Sequence, residues 1–100
     1  MRIIARHTLI SYWSLFPDAE TPLRAWFDET KKARWDSPNE LKEQFGNASI
    51  INDRRVVFNI KGNKYRLIAD IEYRIKIVFI VWIGSHKAYD KINAENIKYD

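Results

Sequence analysis

Residues 55–90, RVVFNIKGNKYRLIADIEYRIKIVFIVWIGSHKAYD, carry polar side chains that neither a core nor a turn requires: Asn59, Lys61, Lys64, Arg66, His86 and Tyr89. Together they offer cationic donors, a titratable imidazole and a phenol, a combination suited to a phosphodiester. Arg66 cannot be deprotonated and suits clamping a phosphate. His86 is the best titrating group, because imidazole ordinarily changes charge near neutrality. Lys61 or Lys64 could serve as a base only if neighbouring positive charge lowered its pKa. Tyr89 could donate a proton or stack on a base, and Asn59 could orient a hydroxyl or a phosphate.

Each of these residues also has an ordinary structural role open to it. Arg66 could pair with Asp70 or Glu72. His86 could cap a helix or lie on the surface, and Tyr89, at helical spacing from it, could be a core-edge aromatic. Lys61 and Lys64 could be solvated hairpin residues. His7 reads as a helix-start residue, and Trp13, Trp26 and Trp35 as core or interface anchors. Lys31, Lys32 and Arg34 read as a solvated helix end that could touch ribosomal RNA.

The surrounding pattern predicts the elements that hold this set. Residues 1–5 predict a short strand. Leu9, Tyr12, Trp13 and Phe16 fall on one helical face, and Pro17 helps end that helix. Thr21-Pro22 opens a second helix, an N-cap followed by proline, whose stripe continues through Leu23, Trp26, Phe27 and Thr30. Ser37-Pro38-Asn39-Glu40 is a capping box for a short third helix through Leu41 and Phe45, with Gly46 as its terminator. The period then changes to two. Strands are expected over 48–51, 55–61, 64–72 and 75–83, with turns at Asn52-Asp53, Gly62-Asn63 and Tyr73-Arg74. The last strand is apolar on both faces, as a central strand would be. A helix over 87–92 closes the chain. The expected fold is one α+β domain, residues 1–100: N-terminal helices packed on one face of a twisted, mostly antiparallel sheet of four or five strands.

The hairpin turn fixes a register. With Gly62-Asn63 as the whole loop, Lys61 faces Lys64 and Asn59 faces Arg66, all on one sheet face. Val56, Phe58, Ile60, Tyr65, Leu67 and Ala69 take the other, against the helices. Like charges opposite each other are destabilising, and a bound anion would offset that. If Tyr73-Arg74 is also a two-residue loop, Arg66 lies beside Val81 and Lys64 beside Ile83. Gly84, Ser85, His86 and Tyr89 then follow at the same corner. An odd number of extra residues in either turn would swap the faces.

Composition narrows the class. The chain has 100 residues, 46% of them hydrophobic, with four Trp, five Tyr and five Phe, enough for one core. Only three Gly and three Pro argue against disorder. The absence of cysteine excludes disulfides and thiolate metal sites. His7 and His86, without an acidic pair at ligand spacing, make no recognisable metal site, and no cofactor is expected. The longest apolar run, 75–83, contains Lys76 and is too short to span a bilayer. His and Arg interrupt the N-terminal MRIIARHTLISYW, so no signal peptide is read there. A soluble cytoplasmic protein with no membrane partner is expected. The net charge of +4 favours a polyanionic partner, nucleic acid or an acidic protein.

The strings VFNIKGNKYRLI and IVFIVWIGSHKAYDKI resemble the HigB-type toxins of bacterial toxin–antitoxin modules, within the wider RelE-like superfamily. The resemblance covers residues 50–92. It rests on Phe58-Asn59, Gly62-Asn63, Tyr65-Arg66-Leu67 and Gly84-Ser85-His86 with Tyr89-Asp90. It implies a RelE-like microbial RNase fold and an mRNA interferase, an endoribonuclease that cuts messenger RNA during translation. It also implies the ribosome and a cognate HigA-type antitoxin as partners. Arg66 matches a basic strand position that holds the scissile phosphate, and His86 and Tyr89 match a His-x-x-Tyr pattern after the last strand. Taken with the reading of the residue types, the expected catalytic set is His86, Arg66, Tyr89 and Lys64, with Asn59, Lys61 and Asn63 on the RNA. Val81 and Trp82 depart from the pattern, standing where many relatives place a basic residue. Two other classes fit the residues alone: a non-catalytic RNA-binding domain, and an interaction module that docks an acidic protein through the same basic corner.

Overall fold

The computed structural model describes residues 1–99. A short strand, β1 (Arg2–Ile4), turns through Ala5, whose φ of 73° lies in the left-handed region, into helix α1 (Arg6–Leu15). Pro17 cannot continue that helix, and the residue before a proline is pushed out of the helical region. Phe16 accordingly caps α1, and Pro17 opens a 3-10 turn (Pro17–Ala19). This turn delivers the chain into helix α2 (Glu20–Lys32), whose N-cap Ala19 lies two residues before the expected N-cap Thr21. Pro22 falls in the first turn, where its missing N–H has no intrahelical partner to lose. Helix α3 (Pro38–Gln44) begins at the expected capping box. Ser37 Oγ accepts from the Glu40 N–H at 3.4 Å, while the Glu40 carboxylate accepts from the Asp36 N–H at 2.9 Å, one residue earlier than the usual reciprocal bond.

The second half forms β2 (Ser49–Ile50), β3 (Arg55–Ile60), β4 (Tyr65–Glu72) and β5 (Ile77–Ser85), then a single helical turn, α4 (His86–Tyr89). The five strands lie in the order β1-β5-β4-β3-β2. Only the β1–β5 pair is parallel. The α+β arrangement is therefore the expected one, with boundaries moved: β5 starts and ends two residues later than expected, and α4 lies earlier than 87–92. The turn before β5 holds residues 73–76 instead of two. Lys76 sits there with φ 60°, its Nζ donating to Trp35 O at 3.0 Å and Tyr73 O at 2.8 Å and bonded to the Asp36 carboxylate.

The helix-side face of the sheet is the set that period two assigned: Val56, Phe58, Ile60, Tyr65, Leu67 and Ala69, packed with Leu9, Leu23 and Leu41. Trp13, Trp26 and Trp35 are buried in the same core, and Trp26 meets Phe58 edge-on at 5.3 Å.

The opposite face is not open. Val57, Ile68 and Val81 form a second cluster, covered by Tyr89, Ile92, Ala94 and Ile97 of the C-terminal segment. This explains why β5 is apolar on both sides. Arg55 ties the cover down. Its guanidinium makes a bidentate pair with Asp70, both contacts at 2.8 Å, and Nη1 donates to the carbonyls of Ala94 at 3.1 Å, Glu95 at 3.4 Å and Ile97. Only a planar fork can serve a carboxylate and several carbonyls together. Farther along, Tyr99 packs edge-on against Phe79 and shares a 2.7 Å hydrogen bond with His7 Nε2, so His7 anchors the segment as well as starting a helix.

Removing one partner of a buried pair leaves the other uncompensated. Arg55→Ala should therefore lower unfolding free energy by about 3 kcal/mol in urea melts, with faster amide exchange at residues 94–97. Tyr73 gives the opposite case. Its buried hydroxyl has no hydrogen-bond partner among the described residues, and burial pushes the phenol up to about 12. Tyr73→Phe should leave the melting temperature unchanged or raise it, because an unpaired buried hydroxyl is removed.

Candidate active site

Asn59 pairs with Arg66 across β3 and β4, as the hairpin predicted. The pleat stops at Ile60, however. Lys61 at φ 53° and Gly62 at φ 63° are both left-handed, so period two does not extend into the loop. Lys61 and Lys64 consequently do not share the Arg66 face. Both turn to the helix side and meet Asp18 of the 3-10 turn: Lys61 Nζ lies 3.1 Å from Oδ2, Lys64 Nζ binds the same oxygen, and the Tyr65 hydroxyl donates to Oδ1. The anion expected to offset the two lysines is thus supplied from within the chain.

The bond from Lys64, then those from Tyr65 and Lys61, hold the Asp18 carboxyl well below the usual range. Asp18 in turn raises Lys64, chiefly through the same hydrogen bond. A lysine acting as base needs the reverse shift. Lys64 is set up as a permanent cation.

The β4–β5 register differs from expectation. Arg66 pairs with Gly84, not Val81, and the His86 N–H donates to Lys64 O at 2.9 Å, where Ile83 was expected beside Lys64. One cause is the longer 73–76 turn. The other is a bulge: Ala69 pairs with Ile80 and Ile68 with Trp82, leaving Val81 without a partner residue. An inserted residue swaps the faces beyond it, so Val81 and Trp82 both pack on the second face.

The shift carries the chain end to Arg66. Ser85 Oγ caps α4 by accepting from the Ala88 N–H at 3.0 Å. One turn on, the Tyr89 ring centre lies 5.8 Å from the Arg66 guanidinium carbon. Arg66 Nη1 donates to Asn63 O at 2.9 Å and Tyr65 O at 3.4 Å. Asn63 thus serves it through its backbone. Neither acidic neighbour on β4 neutralises Arg66: Asp70 is held by Arg55, and Glu72 lies 2.7 Å from Arg54. His86 Nδ1 lies 3.1 Å from Asp90 Oδ2, both side chains being at least half exposed. A carboxylate there favours the tautomer with its proton on Nδ1, leaving the Nε2 lone pair outward. The chain thus brings Arg66, Tyr89 and His86 to one corner with Asn59 opposite, while Lys61 and Lys64 stand on the helix side of the hairpin.

Sequence reasoning passed over Asp18, Asp90 and Trp82. The four-residue spacing from His86 could have shown Asp90. Asp18 meets Lys64 across 46 positions, which no local pattern reports. Among the described residues no three His, Cys, Asp or Glu side chains gather to hold a metal ion.

Residues 19–92 match the family described as HigB toxin, RelE-like toxic component of a toxin–antitoxin system. The chain belongs to the HigB toxin family. It is 27% identical over 96 residues to the mRNA interferase toxin HigB of Escherichia coli K12, covering 94% of this chain and 92% of that one. The mRNA interferase HigB of Shigella flexneri is equally similar, at 27% over the same shares. The mRNA interferase HigB of Escherichia coli O6:H1 is 27% identical over 94 residues, 92% of this chain and 91% of its own. The HigB match spans the hairpin, the bulge and α4, so Asn59, Arg66, His86 and Tyr89 lie within it, and Asp18 lies one residue before it.

The Asp18 clasp sets a pH window. Its folded pKa lies below the unfolded value, so its contribution is complete above the unfolded aspartate value of about 3.9 and is lost as pH falls through the folded one. A carbon-13 titration should place the Asp18 carboxyl midpoint below about 3.9. A midpoint at or above that value would mean the clasp is not formed in solution.

Proposed function

We propose that the chain is a metal-independent endoribonuclease that cuts messenger RNA, acting in the cytoplasm with the translating ribosome and neutralised by a cognate HigA-type antitoxin. The observation that carries this reading is Arg66. It is half-buried on a strand, its acidic neighbours are bound to other arginines, and it faces Tyr89 one turn after His86. A guanidinium so placed suits a phosphate. Membership of the HigB family and the mRNA interferase names of its relatives supply the substrate.

RNA carries its own nucleophile. The 2′-hydroxyl attacks phosphorus, a base removes its proton, and the departing 5′-oxygen takes a proton from an acid. Arg66 clamps the non-bridging oxygens, and its remaining N–H donors have no protein partner among the described residues. His86, oriented by Asp90, presents Nε2 for proton transfer. Tyr89 carries a proton that the leaving oxygen could take, and the Lys64 ammonium adds fixed positive charge for the developing phosphorane. Asn59, Lys61 and Asn63 border the site and suit the flanking sugar and phosphates. No helix among the described residues is long and apolar enough to cross a membrane.

Expression of the chain should arrest growth and cut mRNA. His86→Ala should slow cutting by about 10²–10⁴-fold while antitoxin binding, read by co-purification, persists. Arg66→Ala should lose cutting comparably. A pure RNA binder would instead lose affinity on lysine or arginine changes with no dependence on His86, and unchanged cutting by the double variant would end this assignment.

A further inference from the structure

Past Phe79 the outer edge of β5 has no strand beside it among the described residues, because β1 pairs with β5 only over Ile77, Val78 and Phe79. The end of α1 and the 3-10 turn stand opposite this edge, and a cavity of about 580 Å³ lies between them. Its lining includes four aromatic rings: Tyr12, Phe16, Tyr65 and Trp82. Tyr12 stacks on Phe16 at 4.7 Å and meets Tyr65 edge-on at 5.6 Å, so these three brace one another.

Trp82 is held differently. The bulge sets its direction, and Gly84 gives it room: a Cβ on Gly84 would stand 2.3 Å from the indole. Trp13, Trp26 and Trp35 are at most 9% exposed, whereas Trp82 is half-buried. Lys64 also lines the cavity, as does Ser85, the residue before His86. The cavity therefore borders the corner through Ser85 and Ala88, the cap and third residue of α4. Asp18 lines the cavity too and is bonded to both Lys64 and Lys61, so two ammonium groups against one carboxylate leave a net positive charge at the side. Flat apolar walls beside that charge fit a planar aromatic ligand joined to an anion.

We propose that this cavity is a nucleobase subsite for single-stranded RNA, in which Trp82 stacks on a base next to the cut and Lys64 meets the adjoining phosphate. This rests on the ribonuclease reading and adds to it the residue that grips the base. Aromatic stacking is tolerant of base identity, and backbone groups on the bare edge of β5 can add hydrogen bonds to the base. Trp82 is a substrate-binding residue in this arrangement and transfers no proton.

Intrinsic tryptophan emission tests it, because Trp82 is the ring that solvent and ligand reach. Titrating the full chain with a 2′-O-methyl oligoribonucleotide, which lacks the nucleophile, should quench the emission. The same backbone with abasic sites should not. Trp82→Phe should lose the quench but keep most of the affinity. Trp82→Ala should weaken Kd by about 5- to 150-fold, the range for one aromatic–base stack. Gly84→Ala, which displaces the indole, should weaken it as well. Equal quenching by the abasic strand, or Trp82→Ala binding as tightly as the parent, would overturn the subsite. If the full chain still cuts RNA in that case, the subsite alone falls. If it neither binds RNA nor cuts mRNA in a translating extract, the ribonuclease reading falls and takes the subsite with it.

Discussion

The extra residue at Val81 decides where the polar corner of this molecule forms. In an antiparallel pair a one-residue shift changes every partner and face beyond it. Before the bulge β5 is a central strand, paired on both sides and apolar throughout. After it, Gly84 stands opposite Arg66, His86 pairs with Lys64 through the backbone, and α4 turns Tyr89 onto the guanidinium. Without the insertion Trp82 would point to the helix side and Arg66 would lose its neighbours on α4. The bulge costs a ladder bond and places the corner.

Two charged clasps hold the rest in position, and they solve different problems. Arg55 is nearly buried and fixes the C-terminal segment over the second sheet face, where Val57, Ile68 and Val81 would otherwise meet water. Asp18 is exposed and gathers Lys61, Lys64 and Tyr65 at the hairpin. An exposed clasp contributes little to stability. Its effect is positional: it holds the Lys61 and Lys64 ammonium groups close to where a phosphate would arrive, without burying them.

Much of this was legible in the chain itself. Ser37 and Glu40 announced α3, Gly62-Asn63 gave the Asn59–Arg66 pairing, and the alternation over 55–69 gave the helix-side core. Those signals are local, and each is enforced by backbone geometry within a few residues. The misplaced features are those that local rules do not see. The 3-10 turn at Pro17 moved the start of α2 because two prolines compete to define one helix boundary. The 73–76 turn lengthened because Lys76 is held by Trp35 and Asp36, far away in sequence. The bulge has no composition marker, since Val81-Trp82 reads as ordinary strand. Of the candidate site, the choice of Arg66, His86 and Tyr89 rests on residue type and family resemblance. Their geometry followed from a register that the sequence placed three residues away, and Asp18 and Trp82 joined the corner only through long-range packing.

The chemistry proposed for this corner leaves a signature in its products. If the 2′-oxygen attacks and the 5′-oxygen departs, mass spectrometry of a short mRNA cut by the full chain in a translating extract should find a 2′,3′-cyclic phosphate on one fragment and a 5′-hydroxyl on the other. A 2′-deoxy residue at the cut position should block the reaction. Fragments carrying 5′-phosphates, or cutting that continues through the 2′-deoxy position, would contradict a corner built from Arg66, His86 and Tyr89 alone.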